Sequence, residues 1–301
     1  MSEEAVAIPS CCACCGIAEI DETKLKECDC DLVRYCSDEC RLEDKSQHEE
    51  ACKKRAAELR DELLFKQPES SHLGDCPICF LPLPLDISKS NLNTCCSKII
   101  CYGCYYSNAI REIEMRRVPS CPFCRKAIPE TDDEVVKQNM RRVEANDSFA
   151  MLQGGMKQFN AGDHHSAPMY FTKAAELGNA EAHYKLALTY RLGQGVEKNW
   201  RKEIYHLEEA AIAGHPNARY HLGCEEWENN GGNGKTERAV KHWIIAATQG
   251  DDNSTKMLMI AFKKGFVEKD VLAATLRAHQ AAVDATKSPQ REAAERIRGE
   301  D

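Results

Sequence analysis

Apolar residues recur at helical spacing in two stretches of the first half of the chain. Residues 53–66 are strong helix formers with apolar side chains three or four positions apart and no helix breaker before Pro68, which predicts a linker helix. Thr131 and Glu134 have the spacing of a capping box, and the apolar residues that follow predict a second helix ending near Asn146.

From about residue 147 onward the hydrophobic pattern repeats itself. An Ala-Ala-x-x-Gly sequence recurs every 36 residues, at Ala174-Ala175-x-x-Gly178, Ala210-Ala211-x-x-Gly214 and Ala246-Ala247-x-x-Gly250. Each unit predicts two helices, such as 180–191 and 201–213, with alanine where helices approach closely and glycine in a left-handed cap after the second. A period of this length predicts a solenoid of stacked helix pairs.

These units resemble Sel-one-like repeats, relatives of the tetratricopeptide family. The resemblance is carried by Leu192-Gly193-Gln194-Gly195-Val196, then Glu203 and the next Ala-Ala-x-x-Gly, and covers roughly residues 147–283. It implies an all-α, tetratricopeptide-like solenoid, assigned to 131–283, that binds a client protein. Residues 284–301 mix both charges and include Pro289, so we expect a flexible tail.

The cysteine content is the second informative feature of the sequence. The chain contains 18 cysteines, and only Cys224 lies outside two clusters, 11–52 and 76–124. The acidic start of the sequence and the lack of a long apolar run lead us to expect a cytoplasmic or nuclear protein with no membrane segment. In such a reducing compartment, clustered thiols predict metal sites rather than disulfides. The net charge of −8 argues against nucleic acid and favours protein or peptide partners.

The first cluster offers eight soft ligands in four close pairs, as two tetrahedral zinc ions require. They are Cys12, Cys15, Cys28, Cys30, Cys36, Cys40, His48 and Cys52. The sequence Tyr35-Cys36-Ser37-Asp38-Glu39-Cys40, with the later His48 and Cys52, resembles a MYND-type zinc finger, assigned to 1–53 and followed by a helical linker at 54–72. The resemblance implies one ion on Cys12, Cys15, Cys36 and Cys40 and another on Cys28, Cys30, His48 and Cys52. It also implies binding of short, often proline-containing peptides.

Two features of this first cluster depart from the family. The second ligand pair is shortened to Cys28-Asp29-Cys30, and Lys45 stands where an aromatic residue is usual. Cys11 and Cys14 are spare, so a register shifted by one residue remains an alternative, although Gly16 directly after Cys15 favours the assignment above.

The second cluster again supplies eight ligands, and its spacing resembles a RING finger at 73–130. The ligands are Cys76, Cys79, Cys95, Cys96, Cys101, Cys104, Cys121 and Cys124. The resemblance implies that Cys76, Cys79, Cys101 and Cys104 bind one ion and that Cys95, Cys96, Cys121 and Cys124 bind the other. It further implies docking of a ubiquitin-conjugating enzyme charged with ubiquitin through Ile78 and Pro122, while Arg125 hydrogen-bonds to both proteins.

Three positions depart from the RING pattern. Lys98 stands where a ligating histidine is usual, so Cys95 must replace it, and Cys95 and Cys96 can share one ion only if the chain turns at 95–97. His72, outside the motif, is a less fitting substitute. Asn108 stands where tryptophan is common, which leaves part of the docking groove unfilled unless Tyr105 or Tyr106 compensates.

Together these patterns predict a multidomain protein: two small interleaved two-zinc modules followed by an all-α solenoid. Four zinc ions are expected, each with four protein ligands, so none has an open position for catalysis. The RING resemblance implies a RING-type ubiquitin-protein ligase, which we expect to choose its substrate through the repeats and the MYND finger. The alternative is a non-enzymatic zinc-binding adaptor that only brings proteins together.

Overall fold

The computed structural model describes residues 13–14, 26–27, 33–35, 37–228 and 235–298. The chain divides into two compact units, residues 1–66 and residues 67–301. Within the described parts of both units, every helix is too short or too polar to cross a lipid bilayer.

The first unit contains a short hairpin and one long helix. Strand β1 (Lys26–Glu27) pairs antiparallel with β2 (Arg34–Tyr35), and helix α1 spans Asp38–Phe65. Ser37 caps α1, because its side chain accepts a hydrogen bond from the Cys40 amide at 3.3 Å. The linker helix predicted over 53–66 is therefore the second half of a 28-residue helix.

The second unit opens with a segment that we call the cysteine module, residues 67–128. A 3₁₀ turn (Ile87–Lys89) leads into strand β3 (Ser90–Asn93), which pairs antiparallel with β4 (Lys98–Cys101) so that Ser90 faces Cys101. Helix α2 (Tyr102–Glu114) follows directly. The module's buried cluster is small and consists of Cys76, Leu83, Ile100, Cys101 and Cys104.

Helices α3 to α11 form the body of the second unit. They span Asp132–Glu144, Ser148–Asn160, Ala167–Glu176, Ala180–Leu192, Trp200–Ile212, Pro216–Glu228, Lys235–Thr248, Asp252–Lys263 and Lys269–Ala285. Helices α4 and α5, α6 and α7, and α8 and α9 pack as pairs, and each pair packs on the next. The capping box predicted for α3 forms in a shifted version: Thr131 accepts from the Glu134 amide at 3.3 Å, while the Glu134 carboxylate accepts from the Glu130 amide at 3.0 Å.

The repeated Ala-Ala-x-x-Gly sequence has the same structural role each time. The six alanines are buried, and the glycines that follow, Gly178, Gly214 and Gly250, have φ values of 79°, 83° and 96°. Glycine adopts this left-handed conformation without steric cost, so it ends one helix and turns the chain toward the next. The next residue then caps the following helix through its side chain: Asn179 accepts from Ala182 at 3.0 Å, His215 from Ala218 at 3.3 Å, and Asp251 from Ser254 at 2.7 Å.

The end of the chain departs from the prediction of a flexible tail, which is wrong for residues 289–298. These residues form helix α12 (Pro289–Arg298), which packs on α2. Ser288 caps the helix, since its hydroxyl accepts from the Arg291 amide at 3.2 Å. Pro289 at the first helical position favours a helix start, because its fixed φ suits that position and its missing N–H leaves no bond unmade.

Candidate metal centre

The Cys76–Cys79 pair lies in a tight turn closed by two backbone hydrogen bonds. The Phe80 amide donates to the Cys76 carbonyl at 2.9 Å, and the Cys76 amide donates to the Leu81 carbonyl at 2.9 Å. Phe80 has a φ of 58°, a left-handed backbone conformation that residues other than glycine rarely adopt.

The Cys121–Cys124 pair lies in a turn of the same construction, 45 residues later. The Arg125 amide donates to the Cys121 carbonyl at 2.9 Å, and the Cys121 amide donates to the Lys126 carbonyl at 2.7 Å. Arg125 has a φ of 63° and occupies the position equivalent to Phe80. Both turns present a pair of thiols on one side and an exposed residue in the left-handed region on the other.

The remaining four cysteines come from the β3–β4 hairpin and the start of α2. The hairpin loop makes the turn that adjacent ligands require: the Cys96 and Ser97 amides both donate to the Asn93 carbonyl, at 3.2 and 2.8 Å, and Ser97 has a φ of 53°. Cys101 ends β4 and caps α2, where its sulfur accepts from the Cys104 amide at 3.4 Å. Hairpin and helix therefore hold two more cysteine pairs in fixed positions.

These four pairs assemble into two groups in alternation along the chain. The first cysteine group is Cys76, Cys79, Cys101 and Cys104, and the second cysteine group is Cys95, Cys96, Cys121 and Cys124. Within each group all four sulfurs lie within 4.8 Å of one another. The structure thus brings together the same residues that the RING resemblance implies for each ion.

The sulfur spacing fits a tetrahedral zinc site. Zn–S bonds of about 2.3 Å at tetrahedral angles separate neighbouring sulfurs by about 3.8 Å. The Sγ atoms of Cys79 and Cys101 are 3.8 Å apart, those of Cys96 and Cys121 are 3.9 Å apart, and those of Cys95 and Cys124 are 3.3 Å apart. Each group is therefore able to hold a metal ion, and an all-thiolate donor set suits zinc.

Electrostatics point the same way, because crowded thiols cannot all ionise without a cation. A hydrogen bond from Cys101 lowers the pKa of Cys76 to about 4, and the same bond, with burial, raises the pKa of Cys101. Burial raises the pKa of Cys104 to about 12 and that of Cys96 to about 11. A bound dication supplies the charge that lets four thiolates coexist, and four ligands leave it no open position for chemistry.

Only part of the N-terminal ligand set lies in the described residues. Cys12, Cys15, Cys28, Cys30 and Cys36 lie outside them. Cys40, His48 and Cys52 all belong to α1, where His48 and Cys52 are one turn apart and Cys40 lies about 12 Å from His48 along the helix axis. One ion can therefore bind both His48 and Cys52, but it cannot also bind Cys40.

The alternative register of the first cluster is left open by the described residues. The Cys14 thiol donates to the Glu43 carboxylate at 3.4 Å, and partial burial, this bond and neighbouring Cys40 raise its pKa to about 12. Its place near Cys40 suits either register, since Cys11, Cys12 and Cys15 lie outside the described residues.

The predicted docking residues differ in exposure. Ile78 is 37% exposed, and Arg125 is exposed. Pro122 is buried and offers little surface, and its role in docking stays a prediction. The neighbouring Phe123 is 44% exposed and provides the apolar surface of this turn instead.

Asn108 and Lys98, which depart from the RING pattern, have clear roles. The Asn108 amide donates to the Ser120 carbonyl at 2.9 Å, and its oxygen accepts from the Arg125 guanidinium at 3.4 Å, which ties α2 to the second turn. The Lys98 ammonium lies 5.9 Å from the centre of the Phe123 ring and touches no sulfur. Tyr105 and Tyr106 pack near Tyr102 on α2, with ring centres 6.2 and 6.3 Å from it.

His72, which the sequence makes a less fitting substitute ligand than Cys95, belongs to a third cluster, with Glu181 and His215, that sequence reasoning missed. The His215 Nε2 lies 2.8 Å and the His72 Nε2 3.6 Å from one Glu181 oxygen, and the two rings stack at 4.1 Å. Burial opposes ionisation of Glu181, but the hydrogen bonds from His215 and His72 outweigh it and lower its pKa. These residues are 109 and 143 positions from His72 in sequence, so only the fold reveals the cluster.

This third cluster is not a metal site. The Nδ1 atom of His215 accepts a hydrogen bond from the Ala218 amide, which leaves the ring proton on Nε2. A protonated Nε2 donates to Glu181 and has no lone pair for a metal. The cluster instead links the start of the cysteine module to the repeats.

Comparison with solved structures found similar repeat proteins. A Sel1 repeat protein from Oxalobacter formigenes is 23% identical over 52% of this chain and 68% of that one, with a TM-score of 0.45. A protective antigen of uropathogenic Escherichia coli that displays an SLR fold is 27% identical over 50% of this chain and 33% of that one, with a TM-score of 0.43. Neither the protein-family models nor the curated proteins gave a match.

Proposed function

We propose that the chain is a zinc-dependent ubiquitin-protein ligase whose cysteine module is a RING finger. The observation that carries the proposal is the alternation of the four cysteine pairs: the first and third form one group, and the second and fourth form the other. Alternating pairs bind the two ends of a short segment to each other, so two metals make a rigid platform from a segment with little apolar core.

The exposed face of this platform suits a docking protein. Ile78 and Phe123 offer apolar surface on the two equivalent turns, and Arg125 adds a charged fork beside Phe123. The Arg125 guanidinium is held toward Asn108 by a hydrogen bond to its side-chain oxygen. The left-handed φ of Arg125 belongs to the turn itself, since Phe80 has the same conformation at the equivalent position.

The proposed chemistry is positional. A substrate lysine amine attacks the thioester carbonyl that joins ubiquitin to the conjugating enzyme; a C–N bond forms, the C–S bond breaks, and the amine proton leaves with solvent or a base of that enzyme. Arg125 would hydrogen-bond to the conjugating enzyme and to ubiquitin together and so hold the thioester in an attack-ready geometry. The zinc ions keep Ile78, Phe123 and Arg125 in place.

The repeats and the N-terminal cysteine cluster are proposed to recruit the substrate. On the repeats, Trp200 is 69% exposed and Tyr205 is 52% exposed, and aromatic side chains are enriched at protein interfaces. The same surface favours the alternative, an adaptor that gathers proteins without moving ubiquitin. The N-terminal cluster is proposed to be a MYND-type finger that binds a peptide.

An autoubiquitination assay tests the proposal. The full chain is incubated with ubiquitin, activating enzyme, ATP and a panel of conjugating enzymes, and compared with Ile78→Ala and Arg125→Ala. We expect ubiquitin chains with the native protein and at least about a tenfold lower rate with each variant, equivalent to 1.4 kcal/mol in transition-state stabilisation.

Arg141→Ala is the matched control, because Arg141 is an exposed arginine on α3 and belongs to neither cysteine turn. It should retain the native rate. Equal rates for all four proteins would contradict the docking mechanism, and no ubiquitin transfer by the native chain with any conjugating enzyme would favour the adaptor.

A further inference from the structure

Arg291 on α12 reaches into the cysteine module. Its side chain is 6% exposed, and one of its terminal nitrogens donates to the Pro82 carbonyl and the Thr286 carbonyl, both at 2.7 Å. The other terminal nitrogen donates to the Leu81 carbonyl at 3.1 Å and to the Cys79 sulfur at 3.3 Å. One buried guanidinium therefore bridges α12, the first cysteine turn and a sulfur of the first cysteine group.

The contact between Arg291 and the Cys79 sulfur is explained by charge balance. A buried arginine needs an anion nearby, and among the residues that the structure describes no carboxylate forms an ion pair with Arg291. Four thiolates around one zinc ion carry a net charge of −2, so the loaded first group is the anion this arginine lacks. Cations near coordinated thiolates reduce their charge density and hold them in orientation.

Helix α12 is fitted closely against α2 at this point. A Cβ atom at Gly103 would lie 2.9 Å from the Arg291 Cα, so any larger residue would push α12 away. The Gln290 amide donates to the Ser107 hydroxyl at 2.7 Å, and Lys89 pairs with Glu295 at 3.0 Å. Ala294, on the same face of the helix, is 1% exposed.

The two cysteine groups differ in this respect. The described contacts of the second group are made by its own sulfurs and backbone amides, with no arginine or lysine donating to a sulfur. The second group therefore serves as an internal reference for the first.

We propose that Arg291 is an outer-sphere positioning residue for the metal of the first cysteine group, and that α12 is an integral part of this centre. The inference rests on metal binding by the cysteine groups, which is part of the proposed function. It predicts that metal retention by the first cysteine group depends on a residue 212 positions beyond Cys79.

The test compares the native full chain, Arg291→Ala and Arg291→Lys, each prepared with zinc. The proteins are mixed with a chromogenic chelator and N-ethylmaleimide, and peptide mass spectrometry follows the alkylation of each cysteine. We expect Cys76 and Cys79 to be alkylated about 10–100-fold faster in Arg291→Ala, since loss of an outer-sphere partner has effects of that size, while Cys95 and Cys124 keep the native rate. Lysine cannot reach four acceptors with one ammonium and should restore only part of the protection.

Two further variants provide a second perturbation near Arg291 and a matched control. Gly103→Ala places a Cβ 2.9 Å from the Arg291 Cα and should also speed the alkylation of Cys76 and Cys79 selectively. Arg296→Ala, an exposed arginine on the same helix, should behave like the native chain. Native rates at Cys76 and Cys79 in Arg291→Ala, or equal acceleration at both groups, would overturn the inference. A native chain without zinc would overturn the metal proposal itself, an outcome that a direct zinc assay identifies before any variant is made.

Discussion

The cysteine module and the helical repeats share one compact unit but are stabilised in different ways. The repeats bury continuous apolar clusters, such as the one around Phe171 and Leu186 and the one around Trp243 and Leu258. The buried cluster of the cysteine module contains only Leu83 and Ile100 besides its cysteines. Three of the five residues in this cluster, Cys76, Cys101 and Cys104, are themselves proposed ligands.

Magnitudes show what this difference means. Burying Leu83 and Ile100 contributes about 3–6 kcal/mol, which is too little to order some 60 residues. One structural zinc ion contributes about 10–16 kcal/mol in small zinc-binding peptides. The module should therefore depend on its metals and the repeats should not.

Metal removal is the strongest way to separate the two regions. A purified full chain should contain close to four zinc ions and lose them to excess chelator. We then expect amide hydrogen-exchange protection to vanish over residues 76–128 and to persist in α4 to α10, because only the first segment lacks an apolar core of its own. Exchange followed by mass spectrometry reads both regions in one sample.

The comparison fails if residues 76–128 stay protected after the metal has been removed, or if the chain never contains zinc. Adding zinc back should restore the protection, and magnesium serves as the control, since it disfavours thiolate ligands.

A core substitution in the repeats should have the opposite signature. Phe171 is 1% exposed and fits tightly against Gly155, so Phe171→Ala should lower the free energy of unfolding of the repeats by about 3–5 kcal/mol. Zinc content at room temperature should not change. Phe262→Ala is the matched control, because Phe262 is 38% exposed, and it should cost well under half as much. Urea unfolding followed by far-UV circular dichroism measures both.

Most of the repeat architecture follows from local patterns. The alanine pairs and glycines predict the helix ends, and the prediction of helices at 180–191 and 201–213 agrees with α6 and α7 within a residue or two. The capping by Asn179, His215 and Asp251 shares the same 36-residue period and was available to the same reasoning. Helix α12 was missed because Pro289 reads as a helix breaker unless the preceding Ser288 is recognised as a cap.

The candidate site likewise has parts that follow from the sequence and parts that depend on the tertiary fold. The cysteine pairs and the turn at 95–97 follow from ligand spacing, because short loops limit which thiols can meet. The contact between Arg291 and Cys79 and the cluster of His72 with Glu181 join residues more than 100 positions apart, and no sequence period relates them. The burial of Pro122 likewise depends on tertiary packing.

The smallest expected effect concerns pH and the repeats. Burial lowers the pKa of His206, His215 and His221 to about 4 each, so all three are neutral in the folded state at pH 5, while the unfolded chain binds protons below about pH 6.5. Below pH 6.5 the unfolded chain binds protons that these buried rings do not, so the free energy of unfolding decreases as the pH falls toward 4. Above pH 6.5 this loss of stability is absent. Glu181 acts in a lower window, since its depressed pKa adds stability that is lost only below about pH 4.5.

His215→Asn tests at one position whether the free energy of unfolding decreases with falling pH as predicted. Asparagine occupies the equivalent cap at Asn179, so the variant keeps a side-chain acceptor for the Ala218 amide and removes the titrating ring that faces Glu181, His72, Tyr184 and Lys185. We expect the variant to be less stable than the native chain at pH 7, because the bond to Glu181 is lost, and this deficit to shrink by up to about 2 kcal/mol at pH 5. Urea midpoints of both proteins at pH 7, 6 and 5 give the deficit, and any loss of zinc at low pH affects both proteins alike. A deficit that stays constant over this range would mean that His215 does not titrate between the folded and unfolded states as its burial requires.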